Sequence, residues 1–429
     1  MQITVSYDDY STTLNAENLK LAYAGALEEA LKDAAGGASG TLSVPFSFDA
    51  DALRSVLYTL NEQIPNSAKN AWVELCYEDY KIDDVTYHKP YFMYHEGVRG
   101  AQLNYDSVEQ EVRAALDAGN YTAALTPEVA VSEPDITADM LRSQISLLST
   151  YSTNYRFKGS SSTSPDVAEN CMARDHNISK AVSMMQFTEL APGKSFSFNN
   201  TTGERSEQKD WWLANAVYQG SGYRKESGGG VCQVSTTMFN ALLRAGVKTF
   251  VQRWHSIPSN YVTTKFEDGL GFDATVDYGH IDFKFTNDTG HKLYMLVYIT
   301  KDKTSGRRKF INVEIWGQEQ PGVEYKCYNE IIEKILAADQ PPKETKDKSM
   351  LEGTTEQISE GHDGYTVNIY VDMYKDGVKV KQNYTDTAIY KVSPPEVRVG
   401  TAKATPEPTP KPTNTPKPTD APEEPGGEP

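Results

Sequence analysis

The chain has 429 residues, 59 acidic against 42 basic side chains, and a formal net charge of −17. At roughly 150 residues per domain this is two to four domains, and the acidic balance argues against a nucleic-acid partner, because a phosphate backbone selects basic faces. With 38% hydrophobic and 10% aromatic residues most of the chain has the apolar material to fold, and no apolar run reaches the roughly 18 residues that cross a bilayer.

The opening residues, MQITVSY, alternate like a strand. No basic-then-apolar leader opens the chain, and its Thr/Pro tail and modular build lead to the expectation of a signal peptide or membrane anchor upstream of Met1 in the full-length gene. The first 130 residues read as an internal repeat. One copy begins at Leu14-Asn15 and the other at Leu103-Asn104, each with an amphipathic helix, a glycine stop and a strand. In the second copy Asp106 is the expected cap, Val108, Val112 and Leu116 recur every four residues, and Gly119 ends the helix. Between the copies Asp49 caps a helix carrying Leu53, Val56, Leu57 and Leu60 on one face. The stretch from Lys89, with Glu96-Gly97, Gly100, Leu103-Asn104 and the Pro134 exit, resembles a peptidoglycan-binding domain found beside wall-modifying modules in Gram-positive bacteria. The bland alternative is a packing domain with no ligand of its own.

The central segment is the most informative. Gly228, Gly229 and Gly230 form a permissive loop that runs into a helix in which Val231, Val234, Met238, Leu242 and Ala245 recur at three- and four-residue spacing, with Gly246 as its stop. Cys232 falls in the first turn, where unpaired amides and the macrodipole favour an anion. A thiol there has its pKa drawn from ~8.5 toward 3.5–7.5. A cysteine nucleophile needs a base and a group to orient that base. His255 follows the strand expected for KTFVQRW, and Asp273 is expected to open the strand ATVDY. Cysteine on a helix start, then histidine, then aspartate is the chain order of papain-like and transglutaminase-like enzymes. Asp277 and His280 are alternates, and Ser235 and Asn240 could donate within the same helix. Against this stands a buried structural cysteine, a common role for a free thiol, with His255 anchoring a turn. Gly228, Gly229, Gly230, Gln233 and Ser235 are the candidate binding residues.

Taken together, GGGVCQVSTT, the HS of RWHSIP, DATVDYG and DFKFTN, with APGKSFSFN and Arg174-x-x-Asn177 upstream, closely resemble the VanW family. Its name comes from an accessory protein of vancomycin-resistance clusters. The resemblance implies a Gram-positive cell-envelope protein and supplies no reaction. Two departures are visible: a long loop from Tyr261 to Phe272, and Phe272 where an arginine is expected. In DWWLANAVYQGSGYR the aromatics are candidates for a sugar cleft, with Trp211 or Trp212 expected in the core.

Strands take over after Pro341. Tyr365 to Tyr374 alternates in period two, Lys375-Asp376-Gly377 is a hairpin turn, and VKVKQNY returns. With Gly353, Gly361, Gly364 and VRVGT, this segment resembles the G-five domain, a small β module associated with N-acetylglucosamine-containing glycans. From Thr401 the chain has nine prolines in 29 residues, a composition for an extended spacer.

The expected organisation is α+β and multidomain. It comprises a peptidoglycan-binding domain at 1–140, a VanW-like domain at 145–305, a connecting segment at 306–340, a G-five-like β module at 341–401, and a disordered Pro/Thr tail at 402–429. The four cysteines, Cys76, Cys171, Cys232 and Cys327, form no CxxC pair, which disfavours a zinc ribbon or a redox centre. Neither cofactor nor metal is expected. The expected partner is peptidoglycan or another cell-wall glycan, and the expected location extracellular, with a role in glycopeptide resistance or wall maintenance. The alternative is a peptidoglycan amidase or transpeptidase using Cys232, His255 and Asp273.

Overall fold

The computed structural model describes residues 1–23, 26–37, 46–217, 223–259, 262 and 267–403. Most of the Pro/Thr tail and the strand expected after the first glycine stop lie outside these residues. The architecture is α+β, as the alternation of periodicities demands.

At the N-terminus, Ile3–Tyr7 pairs antiparallel with Tyr10–Leu14 and parallel with Ala124–Leu125. Helices Ala50–Asn61 and Tyr105–Asp117 lay Leu53, Leu57, Leu60, Val108, Val112 and Leu116 against Ile3, Val5 and Leu14. Burying each such side chain contributes roughly 1.5–3 kcal/mol, which is why these two helices form. Asp49 caps the first as expected, accepting from the amides of Asp51 and Ala52. The second is capped by Asn104, which accepts from Ser107 N at 3.2 Å. Asp106, the expected cap, already lies inside the first turn and instead pairs with Arg54 at 2.6 Å. The two Leu–Asn copies share a capping asparagine but not their packing. Asn15 closes only a turn, onto the amides of Glu17 and Asn18, and the helix Ala26–Ala35 that follows is almost wholly exposed.

A long hairpin, Trp72–Ile82 with Val85–His95, leaves this unit and joins the central core through Ile82 and Tyr87. There, an antiparallel sheet runs in the order Ser146–Arg156, Arg308–Gly317, Leu293–Lys301, Phe187–Leu190. Helices Pro165–Ser183 and Val231–Arg244 pack on it. Residues 306–340 are thus more than a connection: they hold Arg308–Gly317 of this sheet and Val323–Ile335 of the next.

The C-terminal module has two sheets, Val323–Ile335/Gly364–Lys375/Val378–Tyr390 and Lys343–Leu351/Glu396–Ala402/Thr355–Ser359. Its hairpin turns at Asp376 and Gly377, both at positive φ, as Lys-Asp-Gly requires. This module has no separate core. Tyr365, Val367, Ile369, Val371, Ala388 and Tyr390 belong to the same apolar cluster as the central helix and sheet.

Candidate active site

The helix Val231–Arg244 is buried on every side, although its sequence is half polar. Each polar side chain has a task. Gln233 donates to Thr153 Oγ1 and Asn154 O and accepts from Arg174, and Thr237 meets Thr153 at 2.7 Å. On another face, Ser235 donates to Ala274 O at 2.6 Å, Thr236 Oγ1 accepts from Ala274 N at 2.9 Å, and Asn240 donates to Phe272 O at 2.7 Å. These three bonds hold residues 272–274 in extended form along the helix. Ser235 and Gln233, candidates for ligand binding, are almost fully buried and committed to positioning.

The glycine loop serves the same end. A Cβ on Gly229 would lie 2.4 Å from Ala214 O, and Gly230 sits at φ 108°, so the loop lets the backbone approach a strand and turn sharply into the helix. Asn177 secures it, donating to Trp212 O and Gly229 O and accepting from Trp212 N. Trp211 is core, while Trp212 is 46% exposed and stacks on His176.

Cys232 enters this frame in the first helical turn. Its sulfur is 3.4 Å from Val276 N and 3.5 Å from Thr275 Oγ1. The amides of Val231 and Gln233 bond back to Gly228 O and Gly230 O, whereas among the described residues the Cys232 amide has no backbone acceptor. His255 and Asp273 lie not on strands, as expected, but on irregular extended segments; the strand Thr249–Val251 ends before His255. Asp273 Oδ2 accepts from both His255 N, at 2.7 Å, and His255 Nδ1, at 2.6 Å. That double bond fixes the ring, whose other nitrogen serves the Cys232 thiol.

The electrostatics follow from burial and pairing. Burial pushes the Cys232 thiol up, but the hydrogen bond and charge of His255, with the Val276 amide and Thr275 hydroxyl, outweigh it and bring the thiol down to about 7. Burial lowers His255, but its bonds to Asp273 and Cys232 raise it to about 10. At neutral pH about half of the thiol is therefore ionised, as a thiolate paired with the imidazolium of His255. By contrast, burial pushes Cys171 and Cys327 up, and all four cysteines are free thiols.

One residue of this site gave no sequence signal. The Tyr390 hydroxyl donates to Asp273 Oδ1 and accepts from Gly271 N at 2.8 Å, so the C-terminal module completes the carboxylate's shell. The hairpin that carries it was legible, but nothing along the chain indicated that its return strand, Val378–Tyr390, would reach Asp273. Among the described residues, the alternates, Asp277 and His280, line the cleft without bonding to Cys232 or His255. Asp277 bridges to Ile281 in an exposed turn, and His280 lies in that turn.

Cys232 and His255 open into a cleft of about 1090 Å³ bounded by the glycine loop, residues 253–259, the 275–281 turn and residues 389–396 of the C-terminal module. A lowered thiol, a clamped imidazole and access from solvent meet the requirements for nucleophilic attack on a carbonyl.

The description "VanW like protein" matches residues 173–308, and "G5 domain" matches residues 332–402. The chain is similar to "Uncharacterized protein YoaR" of Bacillus subtilis (strain 168), at 39% identity over 27% of this chain and 36% of that protein. It is also similar to "Vancomycin B-type resistance protein VanW" of Enterococcus faecalis (strain ATCC 700802 / V583), at 27% identity over 37% of this chain and 54% of that protein. The chain thus spans between about a third and about half the length of these relatives. Among solved structures, "IgA1 Protease G5 domain structure" aligns at 25% identity with 20% of this chain and 96% of that chain, with a TM-score of 0.15.

Proposed function

We propose that this chain, whose central domain is VanW-like and whose C-terminal module is a G5 domain, is a cell-envelope protein that transfers acyl groups of peptidoglycan peptides through Cys232. The observation that carries the chemistry is the Cys232–His255–Asp273 constellation, with its lowered thiol, at the floor of a cleft. The relative named for vancomycin resistance supports the envelope setting. Association with peptidoglycan through the N-terminal unit and the G5 domain rests on resemblance, and an extracellular location goes with it. Among the described residues, no helix is long and apolar enough to cross a membrane.

In this reading the Cys232 thiolate attacks a peptide carbonyl carbon. The oxyanion that forms is met by the Cys232 amide at the positive end of the helix. The imidazolium of His255 then gives its proton to the leaving amine as the C–N bond breaks, which leaves a thioester on Cys232. Attack by an acceptor amine or by water, with His255 taking the incoming proton, releases the product and restores the thiol. Asp273 and Tyr390 hold the ring and its charge throughout.

The test is intact-mass detection of an acylated protein after incubation with soluble peptidoglycan fragments. A covalent adduct on the wild type, absent from Cys232→Ala, supports the proposal. Turnover of fragments by Cys232→Ala at the wild-type rate would sink it. Separately, full-length protein should sediment with purified sacculi; complete retention in the supernatant at low salt would remove wall association.

A further inference from the structure

The cleft above Cys232 runs against the charge of the whole molecule. Although the chain carries −17, the cleft is lined by Arg174, Arg205, Arg224, Arg253, Lys343 and Lys391 and by only three acids, Glu226, Asp277 and Glu396. Two of those acids are already neutralised, Glu226 by Arg224 and Glu396 by Lys343. Arg174 spends its contact on the neutral amide of Gln233, and Arg205 on Asn199 and Thr202. Neither forms an ion pair among the described residues, although Asp277 and Asp282 lie near enough to Arg205 to act on its charge. Arg253 and Lys391 are exposed and their side chains have no partner among the described residues. The excess is therefore positive, in a concave site whose low-dielectric walls focus the field.

The two unpartnered cations come from different modules. Arg253 stands two residues before His255 in the central domain, while Lys391 follows Tyr390, the residue that bonds Asp273, in the C-terminal module. The C-terminal module thus both supports the triad's carboxylate and forms one wall of the cleft.

We infer that the Cys232 cleft selects peptides bearing a free carboxylate, held between Arg253 of the central domain and Lys391 of the C-terminal module. A guanidinium presents a planar fork that matches a carboxylate, and an ammonium lining the same cleft adds an adaptable charge. An anion bound there shares the cleft with Cys232, which favours a peptide end over a remote charged polymer. This inference rests on the acyl-transfer reading of the same cleft.

The first measurement compares alkylation of Cys232 by iodoacetate and by iodoacetamide, which differ in the carboxylate. Relative to glutathione, the wild type should favour iodoacetate by about tenfold, the scale of one charge-assisted contact. Arg253→Gln and Lys391→Gln together should return the ratio to that of glutathione, and added salt should weaken it. Both residues are exposed, so the fold is expected to persist, and circular dichroism checks this. A ratio equal to that of glutathione in the wild type, or one unmoved by the double substitution, overturns the inference. The second measurement removes the nucleophile. Cys232→Ala is titrated with acetyl-alanine and with acetyl-alanine amide, and its NMR shifts are followed. Tighter binding of the free acid, lost in the Arg253→Gln/Lys391→Gln background, supports the carboxylate site even where Cys232 proves unreactive, an outcome that would remove only the acyl-transfer reading. Equal binding of acid and amide overturns the site, as does glycerol phosphate displacing acetyl-alanine at equal concentration, which would reassign the cations to a phosphate polymer.

Discussion

Replacing His255 by alanine isolates the histidine's effect on the Cys232 thiol, because it removes every histidine contribution and leaves burial with the bonds to the Val276 amide and Thr275 hydroxyl. With His255 the thiol titrates at about 7; without it, burial pushes the thiol up against the smaller pull of the Val276 amide and Thr275 hydroxyl, which puts it back near its ordinary value of 9.0. At about pH 6 the thiolate fraction then falls from about 9% to about 0.1%, roughly ninetyfold. A more basic thiolate is also a better nucleophile, with a Brønsted slope of about 0.4–0.5, so a shift of about two units returns roughly eightfold. The net expectation is alkylation by iodoacetamide about tenfold slower in His255→Ala at about pH 6. Above about pH 9.5, where both thiols are mostly ionised, the variant should react faster than the wild type. The two rate profiles must cross. The assay is the alkylation rate against pH, with modification mapped to Cys76, Cys171, Cys232 and Cys327 by mass spectrometry. Parallel profiles, or a wild-type midpoint near that of Cys76, would refute the ion pair and with it the proposed nucleophile.

Tyr390→Phe leaves Gly271 N and Asp273 Oδ1 without their partner and should cost about 1–3 kcal/mol in denaturant unfolding, while slowing Cys232 alkylation without touching the thiol. Removing residues 332–402 should expose central-domain apolar side chains such as Leu270, Phe272 and Phe283, which share one core with Val367 and Ile369 of the module, so the truncated protein should bind a hydrophobic dye and melt well below the full chain; an unchanged melt would mean the module only sits beside the central domain. Gly229→Ala places a methyl 2.4 Å from Ala214 O and should destabilise by about 1–3 kcal/mol, read as a lowered melting temperature. Asn177→Ala strands the Trp212 amide and two carbonyls and should cost about 1–3 kcal/mol per buried group left unmade, with loss of the fast thiol as the glycine loop loosens.

Much of this protein is decided by local pattern. The helix Val231–Arg244 with Cys232 in its first turn, the stops at Gly119 and Gly246, the cap at Asp49 and the Lys375–Gly377 turn all follow from residue spacing and φ preference, which neighbours along the chain determine. Cys232, His255 and Asp273 could be singled out as a candidate set because few residue types can serve as nucleophile, base and orienting acid, and the structure brings the three side chains together. What tertiary structure decided is what those residues rest on. His255 and Asp273 belong to no strand; the backbone around Asp273 is held by the helix side chains Ser235, Thr236 and Asn240, and Asp273 in turn holds His255. No periodicity encodes the bonds from the helix, because each joins side chain to main chain across more than 30 residues. Asn104 displaced Asp106 as a cap by a backbone difference of two residues, and Asp106 found Arg54 on the neighbouring helix instead. Tyr390 is the furthest case: 117 residues separate it from Asp273. Their hydrogen bond exists only because the apolar faces of two modules merged into one core, an outcome of hydrophobic burial that has no direction along the chain.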